Sequence, residues 1–521
     1  MHIKKLHIDN FKCLKNFDID FTGSDGGSTA ILIGENGTGK SSMLEMIIRI
    51  FMSIYSLQYN ATRSKAKIDT GDYSIEYTYA SNNIKIQKKN EHYYVWKNDE
   101  QLLKNERILA FRSIMRDNSN RLLPMRIISF YSGMSTTIRD LNDIIYKNYK
   151  TAVFDAIERY FGVEEGDPYI PTKHFIYCND SFTQIYLCAF LCCNNQNQRM
   201  CLTDPSGIEE ISRIRVILDT EALSKNLKKS VNIDDVERTL EFLNGDLCEL
   251  FHDPTIMGNI YDYSISNFSN WKADAIEILD FFDRLQTIFN AKIIVDVNIN
   301  NKIVNCDGLS EGQRQLIKMV GMLGLCRFQD TLVLLDEPDA HMNPRWKYDI
   351  FNTIQEVLDP SINTQAIIAT HEPLVINGVS KRFIRIFERD DETGATKVIE
   401  PESDTEGMGI DGLLQSEYYG LPTVLDTETK KKLDKKYNLM VKSKESDDQL
   451  NDKEKQELEK LTEDLENMTF SRNIPTDIYY DEYVAAMHKI YRDKTSGKLS
   501  KEEIEERNAK AEEILRGLLG E

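Results

Sequence analysis

Long apolar runs are missing from this chain of 521 residues. No stretch approaches the roughly 18 consecutive apolar residues of a membrane-spanning helix, so no span is expected. The C-x-x-C pair is also missing. Nine cysteines are scattered along the chain, and the tightest group, Cys188, Cys192 and Cys193, lies in the apolar stretch IYLCAFLCC. Reduced, buried thiols are expected there rather than metal ligands. The opening MHIKKLHIDNFKCLKNFDIDF alternates apolar and polar residues. It lacks the apolar core of a secretion signal, which predicts a cytoplasmic protein. Positive charge is in short supply: 64 Lys and Arg against 84 Asp and Glu give a formal net charge of −20. That excludes a generally basic nucleic-acid coat and an anionic-membrane binder, while leaving room for a local basic face. No heptad pattern is long enough for an extended coiled coil, and no internal repeat occurs.

The composition that remains is that of an ordinary globular protein, 41% hydrophobic and 28% charged. The length predicts about three structural units. KKLHIDNF and LKNFDIDF read as two short strands around Lys12-Cys13. Ala30–Ile33 is a short apolar strand that runs through a Gly-rich loop into the helical pattern SSMLEMIIRIFMSIY. Residues 73–97 alternate in a strand meander, and residues 107–130 end in the apolar strand RIISFY. Residues 139–290 read as mainly helical, and 309–324 as a helix behind a Gly-containing loop. Thr331–Leu335 and Ala366–Ala369 are short, wholly apolar strands of the kind buried on both faces of a parallel sheet. Residues 383–400 read as a hairpin.

Gly34-Glu35-Asn36-Gly37-Thr38-Gly39-Lys40-Ser41, followed by Ser42, fits G-x-x-x-x-G-K-[ST] between a strand and a helix. Glycines let backbone N–H groups approach the β- and γ-phosphates of ATP. Lys40 supplies a point charge to them, the Ser41 hydroxyl suits Mg²⁺, and the helix N-terminus adds its dipole. Asp336 and Glu337 close the apolar strand LVLLD. The first suits Mg²⁺ coordination through water, the second the activation of the attacking water. Leu309-Ser310-Glu311-Gly312-Gln313 precedes that strand, and His371 follows the strand at Ala366–Ala369.

Together these segments resemble the ATP-binding-cassette ATPases of the SMC and RecF-like branch, an AAA family. Glu311 replaces one glycine of the L-S-G-G-Q-type signature, and Asn343 stands where the family has a D-loop aspartate. The resemblance implies an α/β P-loop head, a mixed sheet flanked by helices, hydrolysing ATP to ADP and phosphate. It implies a homodimer or higher homo-oligomer in which two heads sandwich two ATP molecules. Ser310, Gly312 and Gln313 of one head would cap the γ-phosphate held by Lys40 of the other, and His371 would contact that phosphate. No Q-loop glutamine has clear context; Gln87 and Gln101 are the candidates. The 275 residues from Gly34 to Leu309 exceed what a minimal cassette needs. The expected organisation is therefore 1–138 and 301–425 as two halves of one head, 139–300 as a helical insertion, and 426–521 as a charged helical region. This compact plan is similar to prokaryotic antiphage-defence ATPases of the Septu and retron-associated PtuA type. That resemblance implies control of a separate HNH nuclease subunit. A DNA-repair ATPase acting directly on DNA is the alternative. No D-x-D on a strand follows residue 390, so no nuclease centre is recognised in the chain.

Residues 60–126 carry 13 Lys and Arg against 8 Asp and Glu, with Arg107, Arg112, Arg116, Arg121 and Arg126 recurring and Tyr93, Tyr94 and Trp96 nearby. Arg suits phosphate backbones and aromatics stack on unpaired bases, so this lobe is open to DNA or RNA binding as well as to a merely solvated role. Beyond 425, mixed charges indicate solvated helices, with apolar stripes at Leu458, Leu461, Leu465 and Met468, and at Ile504, Ile514, Leu515 and Leu518.

Overall fold

The computed structural model describes residues 1–22, 29–58, 68–117, 122–132, 137–162, 170–179, 182–191, 207–266, 275–326, 330–358, 364–390, 393–444, 450–466, 483, 486–487 and 501–519. In chain order the head begins with β1 (His2–Phe11), β2 (Leu14–Asp20), β3 (Thr29–Gly34) and α1 (Lys40–Gln58). It continues through β4 (Tyr73–Tyr79), β5 (Asn82–Lys89), β6 (His92–Lys97), β7 (Glu100–Glu106), α2 (Ile108–Arg116), β8 (Arg126–Tyr131), α3 (Thr137–Gly162), β9 (Phe175–Cys178) and α4 (Phe182–Leu191). Next come β10 (Ile208–Asp219), α5 (Glu221–Leu227), α6 (Ile233–Leu243), α7 (Gly245–Cys248), β11 (Thr255–Met257), β12 (Ile260–Ile265), α8 (Ala275–Phe289), β13 (Lys292–Ile299) and β14 (Lys302–Asn305). The head closes with α9 (Glu311–Cys326), β15 (Thr331–Asp336), α10 (Pro344–Val357), β16 (Gln365–Ala369), α11 (Pro373–Ile376), β17 (Ile384–Arg389) and β18 (Thr396–Ile399).

Among the described residues the strands form three sheets. The central one runs β18-β17-β3-β16-β15-β8-β9, and every neighbouring pair from β17 to β9 is parallel. Its inner strands β15 and β16 are buried along their whole length and mainly apolar, because both faces are covered. The second, β2-β1-β4-β5-β6-β7, is an antiparallel meander with one buried face. Between the two lies α1, buried nearly all round, with Ile47, Phe51 and Ile54 in the main core. A helix apolar on every side has to be covered on every side, and two sheets supply that cover.

The region 139–300 corrects the expected helical insertion. It holds α3, α4 and α8, but also four strands of a five-stranded antiparallel sheet, β11-β12-β10-β13-β14, whose β14 lies just past 300. Alternation along β10, where Ile214, Val216 and Leu218 are buried and Arg213 and Arg215 exposed, is the period-2 signal that marks a strand. Its outer face is solvated by the pairs Arg213–Asp296 and Arg215–Asp262. The same region also gives β9 to the edge of the central sheet, so the head does not stop at 138.

The chain divides into two compact units, Met1–Glu406 and Gly407–Glu521, so the boundary lies before the expected 425. In the second unit α12 (Gly409–Gln415), α13 (Thr427–Lys444), α14 (Asp452–Glu466) and α15 (Lys501–Leu519) are the described helices. There α13 packs on α14, burying Tyr437, Leu461 and Leu465, with Lys442 Nζ 2.8 Å from Glu454 Oε1. Met468 and the side chains of Ile504 and Leu518 lie outside the described residues, as do Cys192 and Cys193. Among the described residues no helix is long and apolar enough to cross a membrane.

Candidate nucleotide-binding and hydrolysis site

Strand register assembles the site. Parallel pairing sets Ala369 against Leu32, Asp336 against Ala369, and Tyr131 against Asp336. The carboxyl ends of β3, β16, β15 and β8 therefore open side by side, the place where open parallel sheets hold ligands. The loop after β3 carries Gly34–Gly39, the end of β15 carries Asp336 and Glu337, and the loop after β16 carries His371.

The phosphate loop is shaped by its glycines. Gly34 has φ +146°, and a Cβ there would stand 2.2 Å from the carbonyl oxygen of Phe387. Gly39 has φ +105°, with a Leu14 methyl at 2.8 Å from the same imagined atom. Glu35, Asn36 and Gly37 are exposed, whereas Thr38, Gly39 and Lys40 are buried. Thr396 of β18 donates its hydroxyl to the Thr38 carbonyl at 2.7 Å, turning that carbonyl into the protein. Lys40 donates to the carbonyls of Gly34 (2.6 Å) and Glu35 (3.1 Å). Burial lowers its pKa, against the opposing pull of Glu337, Asp336 and Glu35.

Asp336 is 1% exposed, and burial pushes its carboxyl up to about 6; the Ser41 hydroxyl pulls the other way. Neither of its oxygens accepts a hydrogen bond of normal geometry. A buried carboxylate left without donors costs free energy unless a cation or proton meets it. With the Ser41 hydroxyl beside it, Asp336 completes a pair of oxygen donors that fits Mg²⁺. The ion usually keeps waters and phosphate oxygens and needs few protein ligands.

Glu337 has φ +52°, a conformation that costs a non-glycine residue about 1–2 kcal/mol. Its N–H donates to the Ala369 carbonyl at 2.8 Å, and its own carbonyl accepts from the Ser132 hydroxyl at 2.7 Å. Its carboxylate oxygen Oε2 lies 2.7 Å from His371 Nδ1. The structure thus brings Lys40, Ser41, Asp336, Glu337 and His371 to one edge of one sheet.

Ser310, Gly312 and Gln313 are placed differently. Ser310 is exposed and caps α9. Its hydroxyl donates to Gln313 Oε1 (2.9 Å) and accepts from the Gln313 N–H (3.3 Å), while its own N–H donates to Gln313 Oε1 (3.1 Å). The S-x-x-Q of the signature is therefore also a capping box. Gly312 fits because a Cβ would stand 3.2 Å from the His341 carbonyl. Asn343, at the D-loop aspartate position, is the N-cap of α10, accepting from the Trp346 N–H. Asp339 is buried instead, and accepts from the Thr370 hydroxyl at 2.8 Å. Sequence reading passed over Asp339, Ser132 and Thr396. Asp339 was within reach as the third acid of D-E-P-D, and Ser132 as the residue after an apolar strand; Thr396 had no local signal. Gln87 and Gln101 lie on β5 and β7 of the meander, not beside β15.

Of the basic lobe at 60–126, the structure describes 68–117 and 122–126. Residues 68–117 hold Lys85, Lys88, Lys89, Lys97, Lys104, Arg107, Arg112 and Arg116 against Asp69, Asp72, Glu76, Glu91, Asp99, Glu100, Glu106 and Asp117, so 8 minus 8 leaves no net charge. Arg126 is buried and paired with Asp280 at 2.5 Å. The remaining excess, Arg63, Lys65, Lys67 and Arg121, lies outside the described residues.

Comparison with known proteins finds two family matches. Residues 1–182 match the family described as "AAA ATPase domain". Residues 208–377 match "AAA domain, putative AbiEii toxin, Type IV TA system". The Septu protein PtuA of Bacillus mycoides (strain KBAB4) is 24% identical over 469 residues, 89% of this chain and 50% of that protein. Two AAA family models thus match separate stretches of this chain. It is also similar to the Retron Vc95 probable ATPase of Vibrio cholerae serotype O1 biovar El Tor, 28% identical over 159 residues, 28% of this chain and 30% of that one. Protein ea59 of Escherichia phage lambda is 33% identical over 104 residues, 20% and 18% of the two chains. The chain thus spans half the length or less of these curated relatives. Among solved structures it aligns with an SMC head bound to the C-terminal winged-helix domain of ScpA. The TM-score is 0.35 at 14% identity, over 77% of this chain and 97% of that one.

Proposed function

We propose that this AAA ATPase binds ATP with Mg²⁺ and hydrolyses it as a dimeric switch that controls a partner nuclease in antiphage defence. The observation that carries the ATPase part is the convergence on Lys40 and Ser41 of a buried, donor-less Asp336 and a left-handed Glu337. Lys40 exchanges its bonds to the Gly34 and Glu35 carbonyls for phosphate oxygens. Ser41 and Asp336 hold the metal side, and Mg²⁺ when bound neutralises charge on the phosphates. Glu337 takes the proton of the attacking water, and His371, now 2.7 Å from its carboxylate, swings to the γ-phosphate. Ser310, Gly312 and Gln313, exposed on the capped start of α9, serve the site of a second head. The defence part, including an HNH-type nuclease subunit, rests on the similarity to the Septu protein PtuA and the retron ATPase. The other reading, direct action on DNA, draws on the excess of Lys and Arg in residues 60–126, of which Arg63, Lys65, Lys67 and Arg121 lie outside the described residues.

The role split is testable by nucleotide binding and turnover. Lys40→Ala is expected to lose ATP binding by two orders of magnitude or so, about 3 kcal/mol for a charge partner of the phosphates. Glu337→Gln is expected to bind ATP normally and release phosphate at least about 100-fold more slowly. Normal turnover in Glu337→Gln, or equal loss of binding in both variants, contradicts the assignment.

A further inference from the structure

The end of β8 carries a residue that neither the motifs nor the comparisons assign. Ser132 follows Tyr131, whose strand pairs in parallel with β15. Its N–H donates to the Asp336 carbonyl at 3.3 Å, and its hydroxyl to the Glu337 carbonyl at 2.7 Å. From the other side the Glu337 N–H is held by the Ala369 carbonyl at 2.8 Å. The two peptide groups flanking Glu337 are thus clamped between β8 and β16, and between the clamps Glu337 sits at φ +52°. A carboxylate residue persists there only when its surroundings over-determine it. The β16 clamp is backbone and comes with the sheet. The Ser132 clamp is a side chain, so it can be removed alone.

We propose that Ser132 is a positioning residue for hydrolysis. Its hydroxyl fixes the Glu337 carbonyl, keeps the backbone left-handed and so aims the carboxylate at the water. The proposal rests on the reading of Glu337 as the base. Without the hydroxyl, Glu337 relaxes toward ordinary φ and its carboxylate swings out of line. Lys40 and Ser41 do not depend on that bond, and the Asp336 carbonyl, which the hydroxyl also reaches at 3.4 Å, keeps its bond from the Ser132 N–H, so ATP binding stays intact. The proposal therefore separates turnover from affinity, which a general packing role does not.

The test uses the full chain with three variants: Ser132→Ala, Ser132→Thr and Glu337→Gln, with the double variant Ser132→Ala/Glu337→Gln. Expected for Ser132→Ala is a fall in kcat of about tenfold, the loss of one ordinary hydrogen bond plus the misaim, with Kd for ATP and melting temperature unchanged. Ser132→Thr keeps the hydroxyl and is expected to recover most of the rate. In the Glu337→Gln background, Ser132→Ala should cost nothing further, since it acts only through that carboxylate. Wild-type turnover in Ser132→Ala overturns the proposal, as does a loss that the double variant adds in full, or a parallel loss of ATP affinity. If Glu337→Gln itself turns over normally, the base assignment fails first and is seen to fail separately.

Discussion

At the scale of single residues, function concentrates where local rules are broken. Glu337 takes a backbone that suits glycine, and Asp336 is a carboxylate without a donor. The cost of the second can be read in pH. Its carboxyl titrates at about 6 in the fold against 3.8 for the free side chain. As pH rises, the unfolded chain sheds that proton first. The ligand-free fold therefore loses stability between about pH 4 and 6 and regains none above, roughly 3 kcal/mol for a shift of two units. Asp336→Asn is expected to melt several degrees higher than wild type at pH 7.5 without nucleotide. It should show no such gain at pH 4, where both carry a neutral group. Mg²⁺-dependent ATP binding should be lost in the same variant. Thermal melts at both pH values, with and without Mg-ATP, check this; a lower melting temperature at pH 7.5 contradicts the burial argument.

At the scale of elements, helix starts do two jobs. The loop at Ser310 caps α9 by reciprocal bonds with Gln313, and the same exposed serine is the proposed contact to a second nucleotide. Removing a cap costs about 1 kcal/mol, far too little to unfold the head. Ser310→Arg is thus expected to fold and bind ATP while losing hydrolysis. Mixed one to one with Lys40→Ala, half the dimers pair the two variants, each with one intact composite site, so about a quarter of wild-type activity should return. No recovery in a verified mixed dimer argues against sites shared between heads. Elsewhere the element scale is where sequence reading failed. Residues 208–305 carry strand alternation, yet intervening helices and loops masked it, and pairing partners such as β10 and β13 stand some 80 residues apart.

At the scale of the whole molecule, the two units have separate cores. In the first, the central core cluster draws its residues from Met1 to Phe387. In the second, the α13–α14 pair buries its own stripe, while Leu515 on α15 is 43% exposed. Burial of Leu461 and Leu465 within the unit favours internal packing for that stripe. A chain ending at Glu406 is expected to remain folded and to bind ATP with wild-type affinity, but to lose co-purifying nuclease or higher oligomers. Native mass measurement and affinity capture check this. Retention of partner and mass by the truncated chain removes the docking role of the second unit.

The sequence by itself determined the phosphate loop, the acidic pair after β15, the signature and the short apolar strands beside them. These are local patterns: glycine where φ is positive, apolar runs where a sheet is buried on both faces, and S-x-x-Q where a helix begins. It also determined that Lys40 and Asp336 would meet, because the motifs it matched are read together. Only the tertiary structure decided which residues support them. Ser132 reaches Glu337 across 205 residues of chain, and Thr396 reaches Thr38 across 358. A serine or threonine in a strand end has no pattern that announces its partner. Its hydroxyl acquires a role only when parallel register brings a distant carbonyl within 3 Å, and that register is set by the packing of the whole sheet.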